Sequence, residues 1–378
     1  MSPAADDALR GGTQGTSADP APKLPPRERP EAMPGGVLTR GRVIAFAIFV
    51  ISAVAFLYFV LPKITGSRGL KDSWNRIDKG DPAWLAGAFG FELVSFTGYV
   101  MLFRIVFVRG ESRVGWRESY QITMAGVAAT RLFAAAGAGG IALTAWALRR
   151  SGMEARLVAC RMVAFLVLLY SVYMLTVLIL GPGLYYGVFP GGGSFAITVL
   201  PAIFAAGVII IVGAVSFVPR DVERRLERAE SGRGFFGRMA RRLAAAPASA
   251  ASGVRTALKL IQSREPMVLG AVVWWGFDIL TLWACFHAFG THPAHAVIIM
   301  GYFVGQLGNV LPIPGGIGGV DGGLIGAFAA FGVPIDSAVV AVLAYRGFSF
   351  WLPTLPGVIA YLQLRRTVAR WDEELAPA

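Results

Sequence analysis

A series of apolar runs close to twenty residues long, two of them interrupted by glycine and proline, constrains this chain more than any other feature. A helix of roughly 20 apolar residues spans the hydrocarbon layer of a bilayer. Within lipid only helices and closed barrels satisfy every backbone N–H and C=O. These runs lack the polar–apolar alternation of barrel strands. Composition agrees, with 55% of the 378 residues hydrophobic and 15% charged, where an ordinary soluble domain carries about 25%. A soluble globular domain, a disordered chain and a disulfide-stapled one are therefore excluded. Cys160 and Cys285 both fall in apolar segments and read as small packing residues rather than a disulfide. An all-α polytopic membrane protein is expected.

Residues 1–38, rich in Pro, Gly, Ala and charge, read as a disordered tail. They lack the basic start and apolar core of a cleavable signal, so Val43 to Leu61 is expected to be a retained anchor helix. Five ordinary spans are expected at about 83–103, 157–180, 195–218, 267–289 and 337–362. Two stretches differ. Gly137, Gly139 and Gly140 break 120–148, and Pro312, Pro314, Gly315, Gly316, Gly318 and Gly319 break 295–332. Proline removes a donor and glycine loosens a helix, so neither stretch reads as one straight helix.

If both broken stretches are re-entrant hairpins, 27 of the 35 Lys and Arg fall on one side and five on the other, with three in the membrane. The rich side is cytoplasmic by the positive-inside rule. A single crossing at 120–148 would instead move the eleven basic residues of 219–265 outside. The expected arrangement is six full spans plus two hairpins in the cell (inner) membrane, with both termini cytoplasmic. The membrane domain covers 39–365, followed by a tail at 366–378.

The two broken stretches match one another. Arg131 to Ile141 aligns with Asn309 to Val320 with one insertion. A span with one acid precedes each (Glu92, Asp278), and a span with one arginine follows each (Arg161, Arg346). Halves at about 83–180 and 267–362, entered from opposite sides, make an inverted repeat of the kind found in secondary transporters.

An ionisable side chain at a helix centre costs at least ~2.5 kcal/mol on insertion scales. Glu92, Asp278, Asp321, Arg131, Arg161 and Arg346 sum to zero charge, so pairing across helices is expected, with Glu92, Arg161 and Asp278 as pairing partners. Such pairs can fix packing, or they can serve a ligand. Arg131, Asp321 and Arg346 lie beside the breaks or inside an apolar span and are the sharper candidates, with Asn309 and Gln306 adding neutral polar groups. A guanidinium in a dry cavity holds phosphate in a bidentate fork, which suits an anionic lipid headgroup.

Other chemistries find no support. His287, His292 and His295 lack an acid or cysteine to complete a metal set. No P-loop, Ser/His/Asp or Cys/His set occurs, and the 315–319 glycine run follows a membrane helix rather than a strand. No catalytic residue, cofactor or metal is expected, and nothing points to nucleic acid. The segment 219–265, where Arg224, Arg225, Arg228, Arg238, Arg241 and Arg242 alternate with Leu226, Phe235, Phe236, Met239 and Leu243, reads either as an amphipathic helix on anionic lipid or as a solvated linker.

The stretch Gly308 to Asp321, with Gly332-Val333 and Tyr345-Arg346 after it, resembles the membrane region of lysylphosphatidylglycerol synthases. Thr130-Arg131 through Gly139-Gly140 to Gly152 is similar to that family's other characteristic segment. The resemblance covers about 40–365 and implies a membrane lipid translocator. In bifunctional members this region is associated with flipping aminoacylated phosphatidylglycerol, and some stand-alone relatives are linked to polyprenyl-linked sugars. The family's usual Glu after the glycine run is Asp321 here. Nothing in these residues resembles the aminoacyl-transferase domain, so synthase activity is not expected. The resulting expectation is a lipid flippase or transporter, not an enzyme, in which Arg131, Asn309, Asp321 and Arg346 meet the headgroup and the Gly/Pro breaks let the hairpins move. A secondary transporter of a small polar solute, and a scaffold that recruits a lipid-modifying enzyme through 219–265, are the alternatives.

Overall fold

The computed structural model of the protein describes residues 79–108, 113–132, 138–217, 250–310 and 316–375. Helices and short connections account for all of them, with no strand among the described residues. The expected tail at 1–38, the Val43–Leu61 anchor and the basic run from Arg224 to Leu243 lie outside the described residues.

The first described helix, α1 (Pro82–Phe107), starts where the Asp81 side chain accepts the Ala83 N–H at 2.8 Å and proline takes the first helical position. Next come α2 (Trp116–Leu132) and α3 (Ala138–Arg150), then the 31-residue α4 (Ala155–Tyr185) and α5 (Val199–Ser216). In the second half, a 3₁₀ turn at Pro266–Leu269 leads into α6 (Gly270–Ala288). There follow α7 (His295–Gly305), which tightens into a 3₁₀ turn at Gln306–Val310, then α8 (Gly319–Ala330) and α9 (Ile335–Arg346). A π-helical turn at Gly347–Trp351 joins α9 to α10 (Leu352–Leu375).

Among the described residues, five stretches are long and apolar enough to cross a bilayer: 82–107, 155–185, 199–216, 266–288 and 335–374. They coincide with the five ordinary spans expected, and the protein is an all-α multi-pass membrane protein. Each broken stretch is a pair of short helices packed on one another, α2 on α3 and α7 on α8. Glycine permits that contact. A Cβ on Gly140 would stand 2.6 Å from the Gly126 carbonyl oxygen, and one on Gly308 2.1 Å from that of Gly319.

Several boundaries differ from expectation. Gly139 and Gly140 are the second and third residues of α3, Gly140 packs against Gly126, and Gly137 lies outside the described residues. Gly319 begins α8, while Gly316 and Gly318 hold the left-handed backbone of a turn, with φ of 64° and 84°. Pro312, Pro314 and Gly315 lie outside the described residues. Residues 366–375 are not a free tail. They continue α10 and bury Thr367, Val368 and Trp371, and Asp372 bonds Arg150 at 2.7 Å. The end of the basic linker is likewise packed. The helical stretch 250–262 buries Ala251, Val254, Ala257 and Leu260, a three-residue period, and Ser252 touches Cys160 of α4 at 3.3 Å.

The core is built on two antiparallel pairs. On one, Ala88 of α1 faces Thr281 of α6, Ser95 faces Trp274, and the backbones of Gly98 and Gly270 touch. On the other, Gly357 of α10 fits against the Met124 carbonyl of α2, and Thr367 donates to Gln121 Oε1 at 3.0 Å.

Candidate functional site

Between these pairs lies a cavity of about 380 Å³, walled by α1, α2, α3, α4, α6, the α7 turn, α9 and the π-helical turn. Its size suits a small polar ligand or one headgroup. Arg131, Asn309 and Arg346, three of the four residues expected to bind substrate, line it, as do Gln306, Glu92 and Asp278. Two exposed side chains, Ile141 of α3 and Tyr170 of α4, also belong to its wall.

Arg131 closes α2. Its Nη1 donates to the Phe350 carbonyl at 2.7 Å, and its guanidinium carbon lies 5.6 Å from the Phe350 ring centroid. Arg346 closes α9, 5.0 Å from the same ring. Phe350 thus stands between the two broken stretches and serves both arginines, a cation–π arrangement. Sequence reading missed this residue. The signal was Pro353, which has no N–H to return to the preceding turn. The chain absorbs the defect as the π-helical turn, within which the Phe350 carbonyl accepts from both Arg131 and the Thr354 hydroxyl.

Asp321, the fourth expected residue, sits behind Arg346. Its Oδ1 accepts from Arg346 Nε at 2.7 Å, and its Oδ2 accepts the Gly318 N–H at 2.7 Å. One carboxylate therefore caps α8 and fixes the arginine. Asn309 is exposed on the 3₁₀ turn, with its amide 3.5 Å from Gln306.

The expected pairings of Glu92, Asp278 and Arg161 are revised. Arg161 Nη1 donates to the Phe107 carbonyl at 2.7 Å, where it satisfies the C-terminal end of α1. Glu92 and Asp278 meet one another across the α1–α6 contact, with Arg131 within electrostatic reach of both. Asp278 Oδ2 accepts from the hydroxyls of Tyr302 and, at 3.0 Å, Tyr345. These tyrosines were not singled out as site residues, although a tyrosine in an apolar run is itself a sign of a buried polar partner. The three histidines lie elsewhere, His287 packed at tilted and edge-on angles among Trp84, Trp283 and His292.

Comparison with known proteins agrees with this architecture. The chain is 25% identical over 327 residues to a UPF0104 membrane protein of Methanothermobacter thermautotrophicus, covering 83% of this chain and 93% of the relative. A more local match to a protein of that name in the same organism is 38% identical over 104 residues, 26% of this chain and 30% of the relative's length. Another, to a UPF0104 membrane protein of Methanocaldococcus jannaschii, is 36% identical over 93 residues, 24% of this chain and 28% of the relative. The family model described as the lysylphosphatidylglycerol synthase TM region matches residues 42–357. The chain belongs to the lysylphosphatidylglycerol synthase transmembrane-region family.

Proposed function

We propose that this protein moves a lipid with an anionic phosphate headgroup, a phospholipid of the phosphatidylglycerol type or a polyprenyl-linked lipid, between the leaflets of the cell membrane. The observation that carries the reading is the placement of Arg131 and Arg346, one from each broken stretch or the span after it, around one aromatic ring in one cavity. A phosphate between two guanidiniums receives charge-assisted hydrogen bonds from both. Asp321 holds Arg346 in place rather than meeting a cationic group. Exposed Ile141 and Tyr170 in the cavity wall favour a lipid over a soluble solute, because a headgroup can enter there while its acyl chains stay in the bilayer.

The antiparallel packing of α1 on α6, the two acid-bearing helices, supports an inverted repeat. In this reading the hairpins α2–α3 and α7–α8 shift between inward and outward states. No bond of the lipid is made or broken, and both termini lie in the cytoplasm.

The test is translocation of headgroup-labelled phosphatidylglycerol, and of its aminoacylated form, in proteoliposomes. Wild type should move label to the far leaflet, and Arg346→Ala should stop it while still eluting as a single folded species. A folded wild type that moves none of these lipids overturns the reading and turns attention to soluble solutes or to recruitment through 219–265. Collapse of Arg346→Ala during purification assigns that arginine to packing.

A further inference from the structure

Glu92 and Asp278 take no part in holding a phosphate, yet they are the most deeply buried acids described, 2% and 6% exposed. Their meeting is built into the fold. Along the antiparallel α1–α6 contact, Ala88 faces Thr281, Phe91 faces Phe277, Ser95 faces Trp274 and Gly98 faces Gly270. That register sets Glu92 beside Asp278, so the two buried carboxyls face one another across the helix contact. Asp278 Oδ2 already has Tyr302 and Tyr345 as donors, whereas Glu92 Oε2 and Asp278 Oδ1 are buried without a donor. An ionised carboxylate only accepts, so two carboxyls bond only when one is protonated. Two bare carboxylates in contact away from water repel strongly.

We propose that Glu92 and Asp278 hold one exchangeable proton between them, and that this proton is carried together with the anionic lipid. The two phenols favour the charge on Asp278, so the proton rests on Glu92 and is donated to Asp278 Oδ1. On release it passes to water in the cavity that both residues line, and two carboxylates remain. The groups facing the pair are Arg131 from α2, Tyr302 from α7, Tyr345 from α9, and Thr281 and Cys285 of α6 itself, with Arg346, Tyr170 and Ser349 elsewhere in the same cavity wall. Arg131 couples the two ligands. With the proton bound, the pair carries one negative charge and leaves Arg131 available to phosphate. With the proton gone, two carboxylates compete with phosphate for it. Linkage makes the effect mutual, so phosphate binding tightens the proton and proton binding tightens the phosphate. A lipid of charge −1 and one proton then cross together without net charge.

The coupling rests on the lipid-transport reading, but the proton does not, and two measurements separate them. The first is infrared spectroscopy of the purified protein near neutral pH. Wild type should show a protonated-carboxyl C=O band that shifts in D2O. Glu92→Gln and Asp278→Asn should each lose it, because the new amide donates to the remaining carboxylate. A folded wild type without the band, or variants that both keep it, overturns the shared proton whether or not lipid moves. The second is an imposed pH gradient across proteoliposomes with the membrane potential clamped. One proton per lipid makes the steady-state leaflet ratio about tenfold per pH unit. Glu92→Gln should hold that ratio at one. Transport by wild type at a ratio of one overturns the coupling and leaves the transport reading standing. A wild type that keeps the band but moves no lipid overturns the coupling and the transport reading together.

Discussion

Replacing Asp321 with alanine removes two hydrogen bonds at once, because one carboxylate accepts both the Gly318 N–H and Arg346 Nε at 2.7 Å. Loss of the helix cap costs about 1 kcal/mol. The ion pair is mostly sheltered, its side chains 18% and 15% exposed, but it borders a cavity. Its loss therefore falls below the 3–5 kcal/mol roughly expected when a fully buried charge is stranded, and above the ~1 kcal/mol ceiling of an exposed pair. The expected total for Asp321→Ala is about 3 kcal/mol. Asp321→Asn keeps one acceptor and should lose about half as much. The assay is reversible unfolding in mixed micelles with the double-mutant cycle Asp321→Ala/Arg346→Ala, which isolates the pair. A coupling energy of about 1–2 kcal/mol is expected for residues in direct contact. A coupling below ~0.5 kcal/mol would show that the carboxylate does not hold the arginine. The assignment of Asp321 as its positioning group would then be wrong.

Other parts of the structure make equally direct predictions. Gly308→Ala should weaken the protein by at least about 1–3 kcal/mol, because the new methyl meets backbone, while Gly322→Ala, with nothing within 4 Å, should stay within ~0.5 kcal/mol; micelle unfolding compares them. Tyr345→Phe removes one of two donors to Asp278 and should cost about 1.5 kcal/mol in the same assay. Cysteines placed at Ile141 and Tyr170 should react with a lipid-soluble maleimide in vesicles, while one at fully buried Ala88 should not, as scored by gel shift. Equal labelling at all three would remove the argument for lateral access.

Much of this fold was legible because lipid simplifies the rules. Run length and apolarity alone locate the five described stretches long enough to cross, since each must satisfy its own backbone. The breaks were legible for the same reason, but their edges were not. Gly139 and Gly140 look like breakers in sequence, yet a glycine that lets two helices touch has the same letter as one that ends a helix. The arginines of the cavity were visible as misplaced charges. Their partners were less so, because opposite charge suggested acid with base, whereas the register of α1 on α6 sets acid against acid. Phe350 was hidden altogether, because its role rests on a backbone carbonyl and a ring face that meet the two arginines only in the folded chain.

The helical stretch 335–374 is 40 residues long. At 1.5 Å per residue its contour is about 60 Å, twice the thickness of the hydrocarbon layer. One part of it carries Phe350, on which both guanidiniums rest. The other, with Thr367 and Asp372, is fastened to Gln121 of α2 and to Arg150 of α3. Its far end carries Arg365, Arg366, Arg370, Asp372, Glu373 and Glu374 at the surface of the protein, and charges of that density are costly in hydrocarbon. One continuous helical stretch thus links a cluster of charged side chains to the ring that both arginines of the cavity share.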